Sequence, residues 1–326
     1  MVWKKSVLIT LVWEKMILFN RDQSHNNLKR LTVGILREMY SISDVSDIDE
    51  IKGYIKDLKK CLDSFLPFSE DNEKNVVEFM EDRTIHHSSS IESNNISKAD
   101  VRLVIREDRV IPNIPLSQHI EILNQREALD FIKECLSTGR ELNREVLLNT
   151  HYLVLKCLDT KNSGVFRKSS ASIYSSEYTP PKPEELDEEI YKYFQFYDTE
   201  KDKMDMVTLS AEMHGRLCFI KPFTDGNGIV ARLFMNYILM KEGYPIVSIS
   251  GSREGRVKYF QTLENFPTNP EIFYKFIAIN IFKSLTYCLK NIIPIASEDK
   301  GKYFYDQLAR KCGVDKRDKL LSVIYR

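Results

Sequence analysis

Glycine and proline are scarce in this chain, 12 and 11 among 326 residues, and the segments between them are long and periodic in apolar residues. That pattern argues against a sheet-based architecture and predicts a mostly helical protein. Cysteine is present but unpatterned. Cys61, Cys135, Cys157, Cys218, Cys288 and Cys312 contain no CxxC pair, so neither a disulfide framework nor a zinc site follows. Most of them read as buried free thiols, in keeping with a reducing cytoplasmic location. Net charge is absent as well: 47 basic and 47 acidic residues cancel, which argues against a nucleic-acid partner. The six histidines are dispersed, with His86-His87 the one adjacent pair.

The first nineteen residues, MVWKKSVLITLVWEKMILF, hold two lysines and an apolar run. Glu14 and Lys15 interrupt that run, and no small-residue cleavage site follows, so a secretory signal is not expected. The run is also too short to cross a bilayer, and no membrane partner is expected. It reads as an amphipathic segment packed on the body of the protein. Met16 is an alternative start.

Length allows one large domain or two modest ones. Helices are expected at 28–40 and 48–66, across the turn-rich SISDVSD, and from residue 73 to about 93. Further helices are expected at 117–137 and 142–157, over the amphipathic LSAEMHGRLCFI, and within 253–285. Between 166 and 180 the helical period breaks. Serine, Ile173 and tyrosine precede Pro180-Pro181, and this stretch reads as a β-hairpin or as an ordinary loop. The tail 291–326 is charged and reads as one or two helices.

The most informative stretch is 219–232, FIKPFTDGNGIVAR, followed by LFMNYILM. Asp225-Gly226-Asn227-Gly228 is a turn signal that opens a buried helix reaching Lys241. Two glycines let successive backbone N–H groups converge on an anion at the positive end of that helix. Asp225 is placed to hold a divalent cation, and Arg232, one turn into the helix, to reach an outer phosphate. Such a loop also occurs as a plain helix connection with no ligand.

The stretch resembles the signature of the Fic (fido) family of protein AMP-transferases, His-Pro-Phe-x-Asp/Glu-Gly-Asn-Gly-Arg-x-x-Arg. Pro222, Phe223, Asp225, Gly226, Asn227, Gly228 and Arg232 match it. Lys221 stands where the family has its catalytic His, and Ile229 where it has the first Arg. A second resemblance lies upstream. Ser88 and Glu92 fit the Ser/Thr-x-x-x-Glu-Gly/Asn motif of the family's inhibitory helix, here about 80–95, with Ser93 in place of the usual Gly/Asn. Residues four apart share a helix face, so both can address one site; the alternative is a capped surface helix with a solvated Glu.

The resemblance covers about 80–285 and implies an all-α fold with a small β-hairpin flap. It sets a core over 81–290, an N-terminal helical region over 1–80 and a helical tail over 291–326. It implies binding of ATP with Mg²⁺ through Phe223, Asp225, Gly226, Asn227, Gly228 and Arg232, the metal on Asp225. Tyr259 is placed either near the adenine or in the core. Glu92 is implied to pair with Arg232 as an inhibitor. Arg167, Ser169 and Ile173 are implied to form the flap, along which a protein target presents a Ser, Thr or Tyr hydroxyl by strand addition.

In the family reaction that hydroxyl attacks the α-phosphorus and pyrophosphate leaves. The histidine base contributes about 10²–10⁴-fold. Lysine carries a proton at neutral pH and suits holding phosphate better than removing a proton. Ile229 removes a further charge-assisted contact, about 1.5–3 kcal/mol. Two functions therefore stand: an adenylyltransferase that is weakened or uses Lys221 unconventionally, and an inactive pseudoenzyme that binds a nucleotide or a partner.

Overall fold

The computed structural model describes residues 47–65, 70–173 and 178–289. The expected helix at 28–40, the amphipathic N-terminal segment and the tail lie outside the described residues. Ten helices are described: α1 (Ile48–Phe65), α2 (Glu70–Ile91), α3 (Lys98–Glu107), α4 (Leu116–Ser137), α5 (Arg144–Leu155), α6 (Leu186–Glu200), α7 (Met206–Ile220), α8 (Asn227–Lys241), α9 (Arg253–Glu264) and α10 (Pro270–Leu289). The protein is all-α, and no strand occurs among the described residues. The hairpin expected between 166 and 180 is not seen in its described part; its tip, 174–177, lies outside it.

Local chemistry sets the helix starts. Ser97, Asn143, Asp205 and Ser252 each accept a hydrogen bond from the N–H three residues on, capping α3, α5, α7 and α9. The sequence reading assigned neither α3 nor α6. Both are amphipathic helices that follow polar, turn-prone stretches, which hide the periodicity in a short window.

The chain divides into two compact units, 78–284 and the remainder. In the larger unit α7 and α8 make the most extensive helix–helix contact, and α4, α5 and α6 pack around them. Twelve of the fifteen residues of α8 are buried, which marks it as the helix that others cover on every side. Helix α2 is pinned by charge. Buried Glu81 and Asp82 meet Arg106 of α3 at 3.0 and 2.8 Å, and Glu81 meets Lys133 of α4 at 2.6 Å. Helix α10 is long and apolar enough to cross a membrane, and its Phe273, Ile277, Ala278 and Ile281 are fully buried in the protein. Cys135 and Cys288 are buried and Cys218 half-buried. Cys157 is exposed, contrary to the expectation for most of the thiols, because it sits just past the end of α5.

Candidate functional site

Helix α7 ends at Lys221, whose backbone is left-handed (φ 46°). Six residues later α8 begins at Asn227, capped by Gly226 in a left-handed conformation (φ 73°) that glycine adopts without penalty. The turn between them is built by side chains. Asn227 Oδ1 accepts from the Phe223 N–H at 3.0 Å, and its Nδ2 donates to the Phe223 carbonyl at 2.9 Å. Phe223 is fully buried and stacks on His151 with ring centroids 3.6 Å apart. The Gly164 N–H donates to His151 Nδ1, so the ring proton sits on Nε2, which donates to the Asp225 carbonyl at 3.1 Å. Burial drives the His151 pKa down to about 4, which keeps the ring neutral, as that bonding pattern requires. The side chains of Phe223 and Asn227 are thus committed to shaping the loop. Sequence reasoning missed His151, because a lone histidine in an apolar helix gives no signal of its partner 74 residues away.

The first-turn N–H groups of α8 have no acceptor within the helix and form its positive end. Glu92 reaches this end from α2. A Cβ on Gly228 would lie 2.8 Å from Glu92 Oε1 and 3.1 Å from Arg232 Nη1, so only glycine leaves room for that carboxylate. Arg232 Nη2 donates to Glu92 Oε1 at 2.6 Å and Arg232 Nε to Ser88 Oγ at 3.0 Å. Burial opposes the charge on Arg232, but the adjacent Glu92 carboxylate outweighs it and raises the guanidinium pKa. Arg232 Nη1 is buried without a hydrogen-bond partner among the described residues.

The end of α2 fixes where Glu92 stands. The Asn94 N–H donates to the Ser89 carbonyl and the Ser93 N–H to the Ser90 carbonyl, a Schellman closure that puts Ser93 at φ 74°. Ser93 fills the left-handed position usually given to Gly or Asn, at a cost of about 1 kcal/mol. From α4, Gln125 Nε2 donates to Ser89 Oγ at 2.8 Å, and the Gln118 carbonyl accepts from Asn94 Nδ2 at 3.1 Å.

Arg167 is 4% exposed and gives its whole guanidinium to backbone: Nε to the Lys221 carbonyl (2.7 Å), Nη1 to Ser169 (2.9 Å) and Nη2 to Pro181 (2.5 Å). Its N–H also donates to the Pro222 carbonyl at 2.9 Å. Lys221 Nζ donates to the Ser172 carbonyl at 2.7 Å. These bonds hold the segment 167–172 against the turn.

Beside them a cleft of about 1090 Å³ is lined by Ile173, Lys221, Arg253, Arg256 and Phe260, among others. Tyr259 is not on its wall. That ring is 1% exposed, and its hydroxyl lies 2.9 Å from His214 Nε2, so of the two placements Tyr259 takes the core. The aromatic that α9 turns to the cleft is Phe260, one residue on. Ile229 is 5% exposed and puts no charge at the site. Asp225 is exposed on the loop, and its Oδ1 accepts from the Gly226 N–H at 2.7 Å.

A helix-opening Gly-Asn-Gly loop, with a buried arginine one turn in, thus starts the central helix α8 of an all-α domain. Residues 141–239 match the profile of the Fic/DOC family. The chain carries a Fic-family domain. It is 31% identical to the protein adenylyltransferase Fic of Drosophila virilis over 226 residues, 67% of this chain and 46% of that protein. It is 30% identical to the protein adenylyltransferase Fic of Nematostella vectensis over 167 residues, 51% of this chain and 39% of that protein. The chain therefore spans less than half the length of these relatives. A Fic-domain signalling protein from Bacteroides thetaiotaomicron shares the fold, with a TM-score of 0.66 and 22% identity over 74% of this chain and 97% of that one.

Proposed function

We propose that the start of α8 and the adjoining cleft bind ATP with Mg²⁺, in a protein of the adenylyltransferase type whose site Glu92 closes and whose transfer step Lys221 impairs. One observation carries this reading. Arg232 Nη1 is a buried donor with no partner, beside a helix N-terminus where the protein's own carboxylate stands on Nη2. A carboxylate at a helix N-terminus against a guanidinium mimics a phosphate, and an outer phosphate would take the same donors. The names of the relatives at about 30% identity support the chemistry.

Arg232 and the first-turn amides of α8 would hold the outer phosphates. One exposed carboxylate suits Mg²⁺, which binds through one or two carboxylates plus phosphate oxygens, so Asp225 fits its role. Bound there, the metal neutralises phosphate charge. A Ser, Thr or Tyr hydroxyl of a protein laid along 167–173 would attack the α-phosphorus, forming the new O–P bond as pyrophosphate leaves. The hydroxyl proton needs an acceptor. Lys221 Nζ is instead a donor to Ser172, and with Ile229 buried the site lacks both the base and a second cation from α8.

That same Lys221–Ser172 bond favours a second reading, a pseudoenzyme that binds nucleotide or a partner protein without transfer. Calorimetry with ATP-Mg²⁺ on the chain and on Glu92→Gly tests binding. Mass spectrometry for one added AMP on the chain or on bound proteins tests transfer. Binding without AMP gain selects the pseudoenzyme, and no heat from either protein overturns the nucleotide reading.

A further inference from the structure

Arg232 is a buried cation whose hydrogen bonds are unevenly spent. Its Nε donates to Ser88 Oγ at 3.0 Å, and its Nη2 donates to Glu92 Oε1 at 2.6 Å and to the Ser88 carbonyl at 3.3 Å. Nη1 has no partner among the described residues. Burial opposes the charge, and besides Glu92 the groups that act on it are the Tyr259 hydroxyl of α9 and the Cys218 thiol of α7. Neither of these is an anion. Burial raises the Tyr259 pKa well above its ordinary value and pushes the Cys218 thiol up to about 12. The guanidinium therefore has one charged neighbour, Glu92, and a neutral polar wall.

That wall is held from α7. The Tyr259 hydroxyl lies 2.9 Å from His214 Nε2, with Tyr259 1% exposed and His214 fully buried. Phe273 of α10 stands edge-on to the His214 ring, centroids 5.2 Å apart, and fixes its plane. Burial takes the His214 pKa down to about 3, so the ring is neutral, with one donor and one acceptor. The cation beside the hydroxyl decides the direction of the bond. Tyr259 gives its proton to Nε2 and turns its lone pairs toward Arg232. The imidazole proton then sits on Nδ1, which is buried with no partner among the described residues. A buried donor left unpaired costs stability. An apolar side chain would avoid that cost, so packing alone does not account for a histidine here.

We infer that Tyr259 and His214 are positioning residues for Arg232, holding its guanidinium toward the outer phosphate of the ligand and keeping it in place while Glu92 is displaced. The inference rests on the nucleotide reading of the site and deepens it by naming residues outside the loop and α8. To bind a phosphate, Arg232 exchanges one anion for another, and between the two it is a buried charge without a counter-ion. A second carboxylate behind it would steady it but cancel the charge that attracts phosphate. A hydroxyl supplies lone pairs with no net charge, so the arginine stays fixed and stays attractive. His214 keeps that hydroxyl from rotating its proton toward the cation.

The test is calorimetry on the full chain carrying Glu92→Gly, titrated with ATP-Mg²⁺ and with AMP, which has no outer phosphate. Adding Tyr259→Phe, which removes one oxygen atom, should weaken ATP about fivefold to thirtyfold and leave AMP within about twofold. His214→Leu should shift ATP in the same direction by a smaller factor, and it carries the comparison if Tyr259→Phe fails to fold in a thermal melt. In an Arg232→Lys background, Tyr259→Phe should cost ATP less than about twofold more, because the tyrosine acts through the guanidinium. ATP affinity unchanged by Tyr259→Phe overturns this inference and leaves the nucleotide reading intact. Equal losses for ATP and AMP, or a full loss on top of Arg232→Lys, also overturn it, since the tyrosine would then be supporting the fold and not the arginine. Absence of ATP binding in the Glu92→Gly parent overturns both.

Discussion

A methyl group on Gly228 would stand 2.8 Å from Glu92 Oε1. The carboxylate from α2 and the first turn of α8 therefore share a space that one carbon atom would fill. Gly228→Ala should displace the Glu92 carboxylate and loosen its bond to Arg232. The loss is offset in part by alanine's better helix propensity, leaving a net destabilisation of about 1–2 kcal/mol in urea unfolding. It should not raise ATP affinity, because the methyl stands where a phosphate is expected. A gain in ATP binding by this variant would place the anion elsewhere.

Removing the carboxylate itself should act differently. Glu92→Gly leaves Arg232, 5% exposed, as a buried charge without its counter-ion, at a cost of about 3 kcal/mol. ATP-Mg²⁺ should restore much of that by binding the folded form. The ligand-induced rise in melting temperature is thus expected to be several degrees in Glu92→Gly and near zero in the parent. Equal shifts in the two proteins would show that Glu92 does not compete with the ligand.

For the transfer step, Lys221→His alone should restore little. The single change supplies a base but leaves the buried Ile229 where a cation is missing, and Glu92 still on Arg232. The combination Lys221→His, Ile229→Arg and Glu92→Gly should self-modify at least about a hundredfold faster than the single variant, measured as incorporated AMP. Strong transfer by the unaltered chain that Lys221→Ala abolishes would make the lysine the working base and overturn the assignment above.

Arg167 should prove unforgiving. It makes side-chain bonds to the carbonyls of Lys221, Ser169 and Pro181 with no carboxylate in the set, and burial pushes its pKa down. Arg167→Ala should cost about 3 kcal/mol. Arg167→Lys should recover less than half of it, since an ammonium cannot span the planar fork. Full rescue by lysine in a denaturant titration would mean that charge, not geometry, holds the segment.

Acid should weaken the protein in a defined window. Burial holds His151 down to about 4 and both His87 and His214 down to about 3, from an ordinary 6.5. Between those values the unfolded chain takes up protons that the folded chain refuses. Stability is therefore full above about pH 6.5 and falls as pH drops toward 4, by about 1.4 kcal/mol per pH unit for each such histidine. His151→Gln should reduce the slope by about one histidine's share. A slope unchanged by that substitution would show that His151 is already charged in the fold.

The sequence alone determined the helical class, the loop at 221–228 as the opening of a buried helix, and the joint placing of Ser88 and Glu92 on one helix face. These are local properties: apolar period, turn residues and i,i+4 spacing act within a few residues of chain. The pairing of Glu92 with Arg232, 140 residues apart, entered as an implication of resemblance, and only the packing of α2 on α8 brings the atoms to 2.6 Å. Tertiary structure alone decided that Tyr259 faces inward and Phe260 outward, since both are aromatic neighbours on one helix and only the position of the core distinguishes them. It alone showed His151 under Phe223, the grip of Arg167 on three carbonyls and the face of α9 along the cleft. His151 and Asp225 are 74 residues apart and Arg167 and Lys221 54 apart, and pattern within a short window carries no information about contacts of that kind.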